Sequence, residues 1–341
     1  MSGGWNTIES DAGVFTFLLN NLGVKDVQFE ELLTLEPEAL EALHPVYGVI
    51  FLFKYPTDGE APYAATDKPL DGTFDREAAE RIFFAAQTIQ NACGTQALLS
   101  VLLNKDKEQN NDGSGIDIGQ ALREFRDFTM VLPPEFRGEA LSNSELIRDV
   151  HNSFAKSSPF IDETTRDRRD ASDAEDAFHF IAYTAIQGTL YELDGLQPAP
   201  ISHGPCSEQD FPRKVMDVLQ RRVQRYDMSE IRFNLMAMVR DLRVRAREIG
   251  DEEAFEREQA KRRDWQFENA LRRHNFVGFA GKVLEGVVRQ KLSEGDGGGE
   301  DKYRKWVADA TAAFQKRLES RRKGGAAAVT GAGGEDVEME G

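Results

Sequence analysis

Apolar positions along the chain gather into short dense runs, and the spacing within each run separates strands from helices. Val46-Tyr47-Gly48-Val49-Ile50-Phe51-Leu52-Phe53 is apolar almost throughout and of strand length, the pattern of a strand buried on both faces. Ile82-Phe83-Phe84-Ala85-Ala86 reads as another such run. Phe178 to Tyr183 and Thr189 to Leu193 read as a strand pair around Gln187-Gly188, and the alternation in Ile231-Arg232-Phe233-Asn234-Leu235 fits a strand that closes the sheet. Val14 to Leu22 is spaced as a short amphipathic helix. Ala97 to Leu103, apolar nearly all round, reads as a buried helix that begins near Cys93. Residues 5–240 therefore read as one mixed α and β domain.

The pattern changes after Val239. Arg243 to Arg273 carries Arg and Glu at turn spacings with few apolar positions, which predicts a charged helix that is solvated or partner-bound. His274 to Phe279 interrupts it, and apolar spacing resumes through Val283, Leu284, Val287 and Val288. Gly295 to Gly299 reads as a flexible break and Lys302 to Arg321 as a last amphipathic helix. The Gly/Ala-rich acidic end from Gly324 is expected to be disordered. Residues 241–322 thus form a helical extension and 323–341 a tail.

Composition narrows the function classes. A chain of 341 residues with 40% hydrophobic content can bury a large core and still carry an appendage. With 42 Lys+Arg against 59 Asp+Glu, a net charge of -17, most of the surface would repel a phosphate backbone, so no nucleic acid partner is expected. No apolar run approaches the roughly 18 residues a membrane span needs, and the first residues lack the features of a secretion signal. The expectation is a soluble protein of a reducing, intracellular compartment. Its two cysteines, Cys93 and Cys206, cannot build a disulfide framework.

Cys93 lies directly ahead of the apolar helix, where unsatisfied backbone N–H groups and the positive end of the dipole favour a thiolate. Gly94 leaves room for a backbone to approach the sulfur. Gln87, just past the run from Ile82 to Ala86, could join the Cys93 backbone N–H in binding a developing oxyanion. His179 and Asp194 sit on the strand pair. If Gln187-Gly188 are the two central residues of a tight turn, Ile181 pairs with Asp194, and His179 becomes a diagonal neighbour of Asp194 on the same face. A slip of one residue would put the two on opposite faces. A carboxylate so placed could fix the imidazole tautomer while the other ring nitrogen faces the thiol.

Other histidines and the second cysteine carry less. His203-Gly204-Pro205-Cys206 reads as a Pro/Gly loop, because a zinc site needs three or four ligands and nothing nearby supplies them. His151 reads as a packing residue in a helix.

The runs Gln87 to Ala97, Asp176 to Phe180 and Tyr191 to Leu196 resemble the signature segments of the ubiquitin C-terminal hydrolases. Trp5, Ile8-Glu9-Ser10-Asp11, Val14-Phe15, Ser142-Asn143-Ser144, His151-Asn152-Ser153-Phe154 and Ile231 to Leu235 are also similar to that family. The resemblance implies a papain-like α+β fold, with a central antiparallel sheet flanked by helices and a knotted chain path. It further implies hydrolysis after the C-terminal glycine of ubiquitin without a cofactor. Cys93 would be the nucleophile, His179 the general base and acid, Asp194 its orienter and Gln87 the oxyanion donor. Lys156 to Glu175 looks like the family's active-site crossover loop, a gate limiting what can be attached to the ubiquitin tail. Glu268 to Phe276 resembles the extension of the proteasome-associated member, which docks on the proteasome's ubiquitin-receptor subunit. That resemblance implies a cytoplasmic and nuclear protein. The competing expectation is a non-catalytic ubiquitin-binding scaffold recruited to the proteasome or to a nuclear complex.

Overall fold

The computed structural model describes residues 4–54, 68–108, 115–154, 178–226, 233–293 and 299–330. The segment read as a crossover loop lies outside the described residues, as does most of the glycine break at 295–299.

Among the described residues, seven strands run in chain order as β1 (Val27–Glu31), β2 (Val46–Lys54), β3 (Thr73–Phe74), β4 (Phe178–Ile186), β5 (Thr189–Leu193), β6 (Ile201–Pro205) and β7 (Asn234–Arg240). The helices up to the middle of the chain are α1 (Ala12–Asn21), α2 (Pro37–Glu41), α3 (Ala78–Arg81), α4 (Cys93–Leu102), α5 (Gln120–Thr129), α6 (Pro134–Asn143) and α7 (Glu145–Asn152). Then follow α8 (Phe211–Val223), α9 (Leu242–Ile249), α10 (Glu252–Arg273), α11 (Val277–Ser293) and α12 (Gly299–Thr330). The strands form one antiparallel sheet in the order β1-β7-β2-β4-β5-β6-β3.

The continuous apolar run of β2 is explained by its place between β7 and β4, with side chains feeding a core on each face. One core takes in α1 and α4 with Ile50, Phe180, Ala182 and Met236. The other takes in α8 with Val49, Phe51, Phe53, Ile181, Tyr183 and Leu235. Every residue of α4 is buried, as its all-round apolarity predicts. In α1 the Asp11 side chain accepts from the Val14 N–H at 2.9 Å and so fixes where the helix starts. The β4–β5 hairpin turns on Gln187 and Gly188, at φ 49° and 78°, the two positive values a tight type I′ turn needs. Ile186 accordingly pairs with Thr189 and Ala182 with Leu193.

Two sequence expectations are corrected. Ile82 to Ala86 is extended and buried but belongs to no strand. In place of a ladder, its Ile82 and Ala86 N–H groups donate to the Ala78 and Pro134 carbonyls, each at 2.9 Å, and side chains satisfy further backbone groups. Asn104 accepts from the Phe83 N–H at 2.7 Å and donates to the Phe83 carbonyl at 2.9 Å, and Gln96 Nε2 donates to the Ala85 carbonyl at 2.6 Å. The Arg137 guanidinium, 2% exposed, donates to the carbonyls of Ala79, Ile82 and Phe84 and also to those of Thr129, Met130 and Leu132. Burial holds its pKa below the usual arginine value. The strand expected at Ile231 to Leu235 starts at Asn234, and it lies between β1 and β2 and does not close the sheet.

The composition change after Val239 does not mark the edge of the compact unit, which comprises residues 1–157 and 175–273. The charged α10 is neither wholly solvated nor detached: Trp265 packs on the α1 core, and Arg262 and Asn269 are buried. Arg262 donates to Gln28 and Asp241 at 3.0 Å each, Asn269 to the Gly13 carbonyl at 3.0 Å, and Arg272 to both carboxylate oxygens of Asp11 at 2.9 and 2.7 Å. The arginines bury their stems and spend their charged ends on this network, so a polar helix can dock. A second unit takes in residues 274–341, where α11 and α12 contact each other. In it Phe276, Phe279, Val283 and Leu284 are exposed. The helix α12 runs past Gly324, where the sequence reading begins the tail, and residues 331–341 lie outside the described residues.

Replacing Arg137 by Met should take the guanidinium donor from six carbonyls together, of which that of Thr129 keeps a second donor in the Leu132 N–H, and destabilise the fold by at least about 3 kcal/mol, read as a lower urea midpoint at unchanged slope. Arg137→Lys should recover little of this, because a single ammonium cannot reproduce the fork of donors.

Candidate active site

Cys93 opens α4, preceded by a 3₁₀ turn at Gln90–Ala92 that lifts the chain into the helix. Asn91 Nδ2 donates to the Trp5 carbonyl at 3.0 Å, tying this turn to the N-terminal segment. The thiol is 7% exposed, at the helix end where dipole and free N–H groups favour an anion. The space beside Gly94 is not left for a backbone, as expected, but is closed by side chains. A Cβ there would lie 3.0 Å from Ile8 Cδ1 and 3.3 Å from Phe15 Cζ.

His179 sits near the start of β4 opposite Phe53 of β2, whose ring meets the imidazole edge-on at 5.8 Å between centroids. Asp194 follows the last residue of β5. Extending the observed register by one residue places Ile181 opposite Asp194, as the hairpin reading predicts, and His179 Nε2 lies 2.7 Å from Asp194 Oδ1. The same Oδ1 accepts from the Leu196 N–H at 3.0 Å, while Oδ2 is buried with no hydrogen-bond partner among the described residues. Nε2 is committed to the carboxylate. That leaves Nδ1 for the thiol, and the Cys93 sulfur is near enough to the ring to help raise its pKa. Burial works against the imidazolium, but the Asp194 charge and hydrogen bond outweigh it, and Cys93 adds to the same effect. The His179 pKa is raised to about 10. The ring is thus held protonated at neutral pH beside the Cys93 sulfur.

Gln87 ends the extended segment. Its backbone N–H donates to the Gly195 carbonyl at 2.8 Å, which sets it beside the residue that follows Asp194. The four residues singled out from the sequence therefore come from α4, β4, the end of β5 and the stapled segment, and they converge at one end of the sheet. With a cysteine sulfur, a proton carrier, an orienting carboxylate and a side-chain amide, the arrangement suits attack on a carbonyl and capture of the oxyanion.

His151 lies outside this group. Its Nε2 is 2.5 Å from the Asn6 carbonyl, which can only accept, so Nε2 carries the proton and Nδ1 accepts from the Thr95 hydroxyl at 2.8 Å. Burial keeps its pKa below the ordinary histidine value. Thr95 and His151 thus moor the start of α4 to the N-terminal segment, a role the hydrophobic pattern gave no sign of. His203 lies in β6 with Nε2 3.1 Å from Glu192 Oε2, and Cys206 is buried with its thiol pKa pushed up by desolvation. Among the described residues no group of three or more His, Cys, Asp or Glu side chains is placed to hold a metal ion.

The sequence profile described as "Ubiquitin carboxyl-terminal hydrolase, family 1" matches residues 5–224, and a second, described as "Ubiquitin carboxyl-terminal hydrolases", matches residues 251–292. Ubiquitin carboxyl-terminal hydrolase 2 of Schizosaccharomyces pombe is 49% identical over 296 residues, covering 85% of this chain and 93% of that protein. Ubiquitin carboxyl-terminal hydrolase isozyme L5 of Dictyostelium discoideum is 36% identical over 340 residues, covering 84% and 92%. The crystal structure of Trichinella spiralis UCH37 bound to ubiquitin vinyl methyl ester superposes with a TM-score of 0.58 at 33% identity, covering 79% of this chain and 100% of that one. The structure of its catalytic domain with the same ligand gives 0.56 at 36% identity, covering 70% and 96%. With the profile spanning most of the chain and the relatives matched nearly end to end, this chain belongs to family 1 of the ubiquitin carboxyl-terminal hydrolases, the cysteine-type deubiquitinases.

Proposed function

We propose that this chain cleaves bonds after the C-terminal glycine of ubiquitin, with Cys93 as nucleophile, His179 as general acid and base, Asp194 as the orienter of His179 and Gln87 as the oxyanion donor. The observation that carries this reading is the continuous contact from Asp194 through His179 to Cys93 at the head of a buried helix. Two structures of one relative, described as bound to ubiquitin vinyl methyl ester, support ubiquitin as the substrate.

In the acylation step the Cys93 sulfur forms a bond to the scissile carbonyl carbon, and the carbonyl electron pair moves onto oxygen. The Gln87 amide and the Cys93 backbone N–H receive that charge. On collapse the C–N bond breaks and the His179 imidazolium gives its proton to the departing amine. His179, now neutral, takes a proton from water as the water oxygen attacks the thioester, and the thiolate leaves. The steps require no cofactor.

The extension is proposed to dock on the ubiquitin-receptor subunit of the proteasome, in the cytoplasm and nucleus. The apolar side chains exposed at Phe276, Phe279, Val283 and Leu284 support a partner-binding role for residues 274 onward.

Cys93→Ala should abolish turnover of a fluorogenic amide of ubiquitin's C-terminus while ubiquitin affinity stays within about threefold; unchanged turnover would end the assignment. Because Asp194 raises the His179 pKa to about 10, wild-type kcat/KM should fall on the alkaline side only near that value. Asp194→Asn removes the charge that favours the imidazolium. The alkaline limb should therefore move down toward about 6.5, with a large loss of kcat, checked by a pH–rate profile. Pull-downs with the full chain and with a chain ending at Arg273, which keeps the compact unit whole, should differ by the loss of proteasome subunits.

A further inference from the structure

Gln96 is 5% exposed, lying one turn past Cys93 on a helix that is otherwise mostly apolar. A carboxamide buried there is costly unless it is bonded, and its Nε2 donates to the Ala85 carbonyl at 2.6 Å. Ala85 belongs to the extended segment that has no strand partner and delivers Gln87 two residues later. The Gln87 N–H in turn donates to the Gly195 carbonyl at 2.8 Å, next to Asp194. The three pieces of chain at this junction, the extended segment, α4 and the turn after β5, are in close contact. A Cβ at Gly195 would overlap Gln96 Nε2 and come within 3.0 Å of both Gln87 Cβ and Gln87 N.

We propose that Gln96 is the positioning residue for the oxyanion donor. It sets the spacing between the nucleophile's helix and the segment bearing Gln87, with Gly195 left bare so that the amide fits. The inference rests on the reading of Gln87 as oxyanion donor. A sheet strand would have its distance to neighbours fixed by ladder bonds. The segment at 82–87 lies in no strand, and its Ala86 and Gln87 N–H groups go to the Pro134 and Gly195 carbonyls, away from α4, so the Gln96 side chain rooted in α4 is what relates Gln87 to the Cys93 sulfur. Displacement of a donor by a fraction of an ångström weakens its hold on the charge that develops in the transition state, while substrate binding elsewhere is untouched.

The test uses the full chain with Gln96→Met, which keeps the length and loses the amide, and separately Gly195→Ala, which keeps Gln96 and fills its space. On a fluorogenic amide of ubiquitin's C-terminus each variant should lose about tenfold in kcat with KM within about twofold. Alkylation of Cys93 by iodoacetamide should stay within about twofold of wild type in both, because that reaction develops no oxyanion. Unchanged kcat in Gly195→Ala overturns the proposal, as it does in a folded Gln96→Met. Loss of kcat and alkylation together also overturns it, since the fault would then lie in the thiol–imidazole pair. Should Gln96→Met fail to fold, Gly195→Ala decides alone. Gln87→Ala separates the two layers: if it leaves kcat intact, the donor assignment itself fails, whereas its loss beside a fully active Gln96→Met removes the positioning role only.

Discussion

The register of the β4–β5 hairpin determines where imidazole and carboxylate meet, since alternate residues of a strand face opposite sides of the sheet and no small adjustment can repair a slip. Gln187 and Gly188 set it by accepting positive φ, a conformation that turns the chain in two residues. Burial then makes the contact consequential. With His179 and Asp194 both out of water, the carboxylate has one good recipient for its charge, and the imidazole is held as a cation despite the cost of desolvation. The sheet supplies the pair, and the helix packed on one of its faces supplies the sulfur.

The remaining part of the site is built differently. The segment from Ile82 to Gln87 is fixed by side chains of Asn104, Gln96 and Arg137 together with single backbone bonds to Pro134 and Gly195, which take the place of neighbouring strands. Arg137 in particular gathers carbonyls from α3, from the extended segment and from the end of α5 onto one buried cation, without a carboxylate among its hydrogen-bond acceptors. A polar hub of this kind is stable because each fork donor finds an oxygen, and it would be costly if any of them were left alone.

These two modes of construction explain what could be read in advance. The strand pair, the buried helix and the His179–Asp194 meeting followed from periodicity and turn chemistry, both local in sequence. The segment at 82–86 has the composition of a strand, yet its partners are side chains up to 55 residues away, which no local pattern reveals. The placement of β7 between β1 and β2 is likewise a long-range matter. β1, β3 and β6 escaped notice because they are short, and their residues are mixed in polarity: Val-Gln-Phe-Glu-Glu in β1, and only two residues in β3. α10 was misread in one respect, since buried Arg262 and Asn269 look solvated in a charge pattern while their bonds to Asp241 and Gly13 place them inside.

The two cysteines belong to cores on opposite faces of the sheet, and they are the chain's entire stock of thiols. An oxidant that converts the reactive sulfur of residue 93 to a sulfenic acid therefore meets no resolving thiol within the molecule. Recovery depends on a reductant arriving from outside the chain, and prolonged exposure drives the sulfur up to irreversible acids.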